Sequence, residues 1–303
     1  MKSVLYQVII LNYNSALDCK VAVNSICQSA TTEDYCICIV EGGSTQKNQI
    51  EELKPLESER IYLLDLNENL GYARGNNAGI KYLKEKGIMS QYTVIMNPDV
   101  EILQKGTIEG LIETVENEAN AIGAQPLVCC NDVDAPAEMQ VNIRRVMDYG
   151  DVLVNDSWIL KRIFRKKMNE LLYKDLQPYK TKVRFEVPSG ACFLIESNAF
   201  EKVGLFDEKT FLYGEEIILG YKIKEIGKCF VLNPQYTVEH YQGKSTGSHV
   251  KTMSDFSLKC MIESYCVYLR DYLKVSKIKI WIYKIITVIS AKSKKIIVEK
   301  RSS

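Results

Sequence analysis

Histidine is almost absent from this 303-residue chain, with only His240 and His249 present. That scarcity excludes a histidine-rich zinc centre. The ten cysteines do not replace it, because no C-x-x-C pair or other metal-ligand spacing occurs among them. Cys36 and Cys38 alternate along a strand-like run and Cys129-Cys130 are adjacent, so the cysteines are expected to be small buried hydrophobes in a reducing cytosol. No apolar run reaches the roughly 20 residues that span a bilayer. A signal-peptide pattern is also lacking: Met1-Lys2-Ser3 leads into an apolar run over 4–11, interrupted by Gln7 and followed by Asn12-Tyr13-Asn14. Such a run predicts a first core strand rather than an export signal. The expectation is a cytoplasmic protein, either soluble or peripheral on the cytoplasmic face of the inner membrane. A formal net charge of +1 argues against a general nucleic-acid-binding surface. Internal repeats and low-complexity linkers are missing as well.

What is present is 46% hydrophobic residues, enough for one large core with an appendage. Short apolar runs at 4–11, 36–40, 61–64 and 92–96 have the length of parallel strands buried on both faces. Segments of helical period separate them, at 19–29, 46–53 and 75–86; a helix over 107–117 then leads to a strand at 121–128. The alternation predicts an α/β fold of βαβ units. Strands are expected again at 183–187 and 191–195, with helices at 197–203 and 215–226. In open α/β sheets ligands bind at the carboxyl ends of the strands. That directs attention to Asn12-Tyr13-Asn14, Glu41-Gly42-Gly43-Ser44 and Asn97-Pro98-Asp99.

Two segments read differently. Residues 131–182 lose strand periodicity and gather Arg144, Arg145, Lys161, Arg162, Arg165, Lys166 and Lys167 around Trp158, Ile159, Ile163 and Phe164. They predict either a helical excursion over the active site or a lid that moves. After residue 248 the chain turns helical, and from Lys274 to Arg301 nine basic residues face a single acidic one, Glu299. Ile278, Trp281, Ile282, Ile285 and Ile289 recur at helical spacing, the pattern of an interfacial amphipathic helix or of one packed on the preceding domain. The expected organisation is a catalytic domain over 1–248 and a basic helical segment over 249–303.

The chemistry concentrates where the run 92–96 ends in Asn97-Pro98-Asp99. Pro98 stops the strand, and a carboxylate there can hold a hard divalent cation whose other ligands are water and substrate phosphates. Alone, the tripeptide is a common turn. It stands in an ordered set: residues 8–14, 39–45, 69–79 (Asn69-Leu70-Gly71-Tyr72-Ala73-Arg74-Gly75-Asn76-Asn77-Ala78-Gly79), 96–99, 190–195, 204–207, 211–216 and 240–245. Over roughly 4–246 this set resembles glycosyltransferases of family 2 with the GT-A fold, within them the rhamnosyltransferase-like group of bacterial surface-polysaccharide enzymes that make O-antigen or capsule. The GT-A fold is Rossmann-like, a mostly parallel central sheet flanked by helices; here a C-terminal helical extension would follow it.

The resemblance implies roles. Asn12, Tyr13 and Glu41 would line the nucleoside pocket, with Asn69, Gly71 and Arg74 closing over the nucleotide and its sugar. Asn97 and Asp99 match the metal motif for Mg²⁺ or Mn²⁺, with Asp99 the ligand and His240 a metal or phosphate contact. Gly190 and Ala191 would open a strand beside the acceptor, and Glu215-Glu216 match the acidic pair that carries the catalytic base, assigned to Glu216. The implied partners are a nucleotide-sugar donor and a glycan or lipid-linked glycan acceptor, with contact to an anionic inner membrane; oligomeric state is left open. Blander roles remain for several residues: Tyr13 as core, Arg74 as solvated charge, the glutamates as partners of a helix N-terminus, His240 as structural, and spaced glycines as no phosphate loop at all. Two departures stand out. Glu41-Gly42 replaces Asp-Asn, and Glu-Glu-Ile-Ile replaces Glu-Asp followed by a second Asp two residues on, so that Ile218 stands for an acid. They raise the alternative of a nucleotide-sugar-binding subunit without turnover. A sugar nucleotidyltransferase would need a glycine-rich basic loop after the first strand, where Asn12-Tyr13-Asn14-Ser15-Ala16-Leu17 stands instead.

Overall fold

A computed structural model describes residues 2–130, 143–241 and 253–302. The chain opens with β1 (Lys2–Asn12), α1 (Ala16–Ser29), β2 (Tyr35–Glu41), α2 (Gln49–Leu53), β3 (Ile61–Asp65), α3 (Gly71–Glu85), β4 (Ile88–Met96), β5 (Val100–Ile102), α4 (Thr107–Asn117) and β6 (Ala121–Cys130). Three helices follow, α5 (Tyr149–Asp156), α6 (Trp158–Ile163) and α7 (Arg165–Leu171), then β7 (Val183–Phe185), β8 (Cys192–Glu196), α8 (Ser197–Lys202), α9 (Glu215–Glu225) and β9 (Cys229–His240). The last elements are α10 (Asp255–Val267), running into a π-helical turn over Tyr268–Tyr272, and α11 (Lys277–Ser302).

The strands form one sheet in the order β3-β2-β1-β4-β8-β6-β9-β5, with β7 pairing β9. From β3 to β4 all pairings are parallel, while β8 runs antiparallel to both β4 and β6, and β5 antiparallel to β9. Strand alternation sorts the apolar side chains onto two faces. Tyr6, Val8, Ile10, Ile37 and Ile39 pack with α1 and α4. Ile9, Cys36, Cys38 and Val40 pack with α3, α8 and α9. Gln7 interrupts the apolar run yet sits in a central strand, because its paired residue Thr93 accepts a hydrogen bond from its Nε2 at 2.9 Å. Cys19, Cys36, Cys38, Cys192, Cys260 and Cys266 are buried as expected, but Cys27 is exposed. Burial raises the Cys36 and Cys192 thiols to about 12, which leaves them inert as nucleophiles.

Three differences from the sequence reading have local causes. The helix expected over 46–53 begins only at Gln49, since Asn48 is left-handed at φ 64°. Gln49 is needed elsewhere: its Oε1 accepts from the Ala16 amide at 2.9 Å and so caps α1, whose N-cap Ser15 makes no side-chain capping bond and donates instead to the Tyr13 carbonyl. The 12-residue β9 was not read as a strand at all. Its Asn233-Pro234 resembles a turn, and the register against β6 does jump there, from Asn233 opposite Pro126 to Thr237 opposite Leu127. Finally, α3 starts at Gly71 rather than Gly75.

The region 131–182 is helical in its described part, 143–182. A third core joins it to the C-terminal helices: Val152 and Leu171 pack with Ile217, Ile218, Tyr268 and Tyr283. Tyr268 donates to the Met147 carbonyl at 2.7 Å, and Tyr283 to Asp156 Oδ2 at 2.7 Å.

Candidate active site at the carboxyl ends of the strands

The parallel register places Asn12, at the end of β1, directly beside Glu41, at the end of β2. Both are buried, and Asn12 Nδ2 donates to Glu41 Oε2 at 2.5 Å. The other carboxylate oxygen of Glu41 accepts from the Ser44 amide at 2.7 Å, and Ser44 Oγ in turn accepts from the Asn14 amide. The longer acid at this position therefore folds back onto the loop after β2 and braces it. Tyr13, between Asn12 and Asn14 in sequence, is half-buried. Asn12 Oδ1 is buried without a hydrogen-bond partner, an acceptor facing the same corner.

At the third strand end, Asn69 Oδ1 accepts from the Gly71 amide at 2.9 Å, closing a turn into α3. Gly71 has φ 80°, and a Cβ there would stand 2.2 Å from the Phe211 carbonyl oxygen, so only glycine allows the loop before α9 to approach. Arg74 is exposed and its Nε donates to the Glu208 carbonyl at 2.9 Å, a second tie to the same loop. Gly75 and Gly79 play no phosphate-loop part. An added Cβ would meet Leu11 at 2.6 Å and Val40 at 2.7 Å, so these glycines let α3 lie close on β1 and β2.

Asn97-Pro98-Asp99 forms a turn closed by the Val100 amide on the Asn97 carbonyl at 3.3 Å. The chain then enters β5, whose antiparallel pairing sets Val100 opposite His240. This register brings His240 Nε2 to 3.1 Å from Asp99 Oδ1, although 141 residues separate them. Both side chains are buried, and the Tyr241 amide donates to the Asp99 carbonyl at 2.9 Å. The remaining residues of the 240–245 motif, from Gln242 on, lie outside the described residues. No cluster of three or more His, Cys, Asp or Glu arranged to hold a metal occurs among the described residues. Two donors are nevertheless what a Mg²⁺- or Mn²⁺-type site needs from protein when phosphates and water complete it. The 3.1 Å contact is a hydrogen bond that sets a carboxylate oxygen and a ring nitrogen side by side, the donor pair such an ion would take.

Gly190 and Ala191, expected from the sequence beside an acceptor, connect directly to this corner. The Asn97 amide donates to the Ala191 carbonyl at 2.8 Å. Next to Ala191, Gly190 receives a hydrogen bond on its carbonyl from Tyr72 OH at 2.7 Å. A Cβ on Gly190 would lie 2.2 Å from Glu216 Oε1. The carboxylate of Glu216 thus rests over the Gly190 backbone, and a short path (Asp99, Asn97, Ala191, Gly190, Glu216) links the two acidic corners. Substituting Gly190 by Ala should displace that carboxylate by an ångström or more and lower turnover roughly a hundredfold. An unchanged kcat in a Gly190→Ala enzyme of normal melting temperature would contradict this placement.

Glu215 and Glu216 open α9, where the helix N-terminus favours negative charge. Their environments differ. Glu216 is half-buried, whereas Glu215 is 1% exposed and its Oε1 has no hydrogen-bond partner. Burial first, and then the Glu216 charge, push the Glu215 carboxyl well above the usual carboxylate range. Ile218, standing where the resembled family has a second acid, is fully buried against the C-terminal helices and does not face the site. The loop before α9 leans on those helices too: Ser264 Oγ donates to the Leu212 carbonyl at 3.1 Å and Tyr272 OH to Asp207 Oδ2 at 2.7 Å. Of these groups, the sequence reading did not assign roles to Tyr72, Ser44 and Gln49. Tyr72 lay within the quoted 69–79 motif, but nothing local distinguishes its hydroxyl from that of a core tyrosine.

Comparisons with known proteins bear on this geometry. The sequence model of Glycosyl transferase family 2 matches residues 7–204, which covers the strand ends and Asp99 but stops short of α9 and His240. N-acetylglucosaminyl-diphospho-decaprenol L-rhamnosyltransferase of Mycobacterium tuberculosis (strain ATCC 25618 / H37Rv) is 27% identical over 229 residues, 72% of this chain and 70% of that protein. Rhamnosyltransferase WbbL of Escherichia coli (strain K12) is 24% identical over 173 residues, 56% of this chain and 61% of that protein. Among solved structures, GalNAc-T7 with UDP, GalNAc and Mn²⁺ superposes with a TM-score of 0.59 at 18% identity. That match covers 88% of this chain but only 47% of the longer GalNAc-T7 chain. The mannosyltransferase PcManGT from Pyrobaculum calidifontis, in complex with GDP-Man and Mn²⁺, gives a TM-score of 0.55 at 14% identity, over 94% of this chain and 68% of that one. These likenesses identify the fold as GT-A. With the family match spanning most of the sheet whose strand ends build the site, the chain belongs to glycosyltransferase family 2.

Proposed function

We propose that this glycosyltransferase moves a rhamnosyl or related hexosyl group, with inversion, from a nucleoside diphosphate onto a lipid-diphosphate-linked glycan during assembly of a bacterial surface polysaccharide. The observation that carries the proposal is the short path from the Asp99–His240 pair through Asn97 and Ala191 to Glu216 over Gly190. It supports a donor diphosphate at one end and an acceptor hydroxyl at the other. Similarity to enzymes named as rhamnosyltransferases, one of them for a diphospho-decaprenol acceptor, supports the sugar and acceptor class.

Asn12, Tyr13 and the loop braced by Glu41 line the nucleoside corner, and Asn69, Gly71 and Arg74 shape the turn that covers the sugar. Asp99 and His240 are the residues that would hold a Mg²⁺ or Mn²⁺ ion, which would supply Lewis-acid neutralisation of charge on the diphosphate. Glu216 takes the proton of the acceptor hydroxyl as its oxygen bonds to the anomeric carbon, while the bond to the diphosphate breaks on the opposite face. Gly190 keeps the backbone low enough for the acceptor to reach that carboxylate. Residues 1–248 make up this catalytic unit, and the helices of 249–303 brace the loop before α9 and bring the enzyme to the membrane that carries its acceptor.

A panel of nucleotide-sugars with Mn²⁺, scored by release of nucleoside diphosphate, tests the reading. Release from one donor class, enhanced by a lipid-linked glycan, is expected. A chain that binds nucleotide in calorimetry yet turns over no donor is a binding subunit, and that result sinks the proposal.

A further inference from the structure

Helix α11 is amphipathic the wrong way round for a helix packed on a soluble domain. Its inward positions are Tyr283, Thr287 and Ser290, all at most 2% exposed. Two of them make polar contacts, Tyr283 OH donating to Asp156 and Ser290 Oγ accepting from the Trp158 amide at 3.0 Å, while Thr287 Oγ1 has no hydrogen-bond partner; next to them, Ser293 Oγ accepts from Trp158 Nε1 at 3.0 Å. The large apolar residues point out, with Ile278 72%, Trp281 64%, Ile289 59% and Ile296 54% exposed. At about 100° per residue, Ile278, Ile282, Ile289 and Ile296 fall within about 40° of arc, and Trp281 adjoins them. Of the stripe expected from sequence, Ile278, Trp281, Ile282 and Ile289 are exposed and Ile285 is half-buried, so most of it is not the face that binds the protein.

Charge flanks the stripe. By the same spacing, Lys277, Lys284 and Lys295 run along one edge beyond Trp281, and Lys292 lies close to the stripe itself. Among the described residues, these four make one ion pair, a 3.9 Å approach of Lys295 to Asp255. Ser290 and Ser293 lie towards the opposite flank, where they fasten α6, and α6 continues the same chemistry. Ile159, Ile163 and Phe164 are 39%, 66% and 48% exposed, among exposed Lys161, Arg162, Arg165 and Lys166. Two segments about 130 residues apart in sequence therefore lie side by side, fastened through Trp158, and each carries exposed apolar and basic residues. No described helix is long and apolar enough to cross a membrane, so the surface suits an interface rather than a span.

We propose that α11 and α6 together form a docking face for an anionic lipid bilayer, the apolar side chains entering the headgroup region and the lysines and arginines meeting lipid phosphates. The occupant is chosen by charge: a second copy would set this basic surface against its own like charges, whereas anionic headgroups complement it. The inference deepens the reading of a lipid-linked acceptor and rests on it only for its purpose.

Full-length protein should cosediment with equimolar phosphatidylcholine–phosphatidylglycerol vesicles and far less with phosphatidylcholine alone, and added salt should release it. The triple variant Lys277→Gln, Lys284→Gln, Lys295→Gln should bind on the order of 100-fold more weakly, at about fivefold per residue. The variant Ile278→Ser, Trp281→Ser, Ile289→Ser should lose binding, and Ile163→Ser with Phe164→Ser should weaken it; all three should keep wild-type melting and donor turnover. Equal binding to both vesicle types, no binding to either, or a dimer in sedimentation velocity that the apolar triple variant converts to monomer would overturn the proposal. Vesicle binding without turnover of any donor would count against the enzymatic reading and leave this one standing.

Discussion

Replacing Glu216 by Gln should lower glycosyl transfer by about two to four orders of magnitude, the usual worth of a positioned general base, while leaving donor affinity unchanged. Two adjacent carboxylates start α9, and their surroundings separate their roles. Glu215 is sealed behind the site with an unpartnered oxygen, and its raised pKa keeps it protonated as pH rises past the ordinary carboxylate range. Glu216 is the one whose oxygen reaches Gly190 and the path to Asp99. Glu215→Gln, which mimics the neutral acid, should therefore retain most of the activity. It also carries a stability signature. A carboxyl whose folded pKa is raised contributes stability that is fully present below its unfolded value, about 4.3, and is lost as pH rises through the folded value. The melting temperature of Glu215→Gln should accordingly fall less than that of the wild type on the alkaline side. If Glu215→Gln is dead and Glu216→Gln is active, the assignment of the base is reversed.

Asp99→Ala should abolish cation-dependent turnover, a loss of about a hundredfold to a thousandfold for several kcal/mol of charge stabilisation. The fold should survive, because the register that builds this corner is a main-chain one. Val100 pairs with His240, and the Tyr241 amide holds the Asp99 carbonyl, whatever the side chain at 99. A second readout avoids activity altogether. Mn²⁺ should raise the melting temperature of the wild type, since a ligand that binds only the folded state stabilises it by mass action. The same addition should leave Asp99→Ala unmoved and shift His240→Ala by less than the wild type. Equal Mn²⁺ stabilisation of Asp99→Ala and the wild type would remove the ion from this corner.

Much of this was readable along the chain because the signals are local. A buried parallel strand announces itself by a short apolar run and ends where polar residues begin, so the ends of β1, β2 and β4 were legible at Asn12, Glu41 and Asn97. The start of α9 at Glu215 was legible for the same reason. Elements whose identity depends on a distant partner were not. β5 is three residues long and is a strand only because β9 pairs with it. β9 itself is broken at Pro234 and is held in register by β6 on either side of the break.

By itself, then, the sequence determined the α/β order, the strand ends and the acidic residues placed at them, since hydrophobic period and turn chemistry act over a few residues. Tertiary structure decided which of those residues meet. It set His240 against Asp99 across 141 positions, turned one oxygen of Glu41 onto the loop it braces and the other onto Asn12, and sealed Glu215 while leaving Glu216 over Gly190. It also decided the sense of α11. A helical repeat of isoleucines is the same pattern whether the stripe faces in or out, and only packing, here Tyr283, Thr287 and Ser290 turned inward, shows that most of the apolar side faces out.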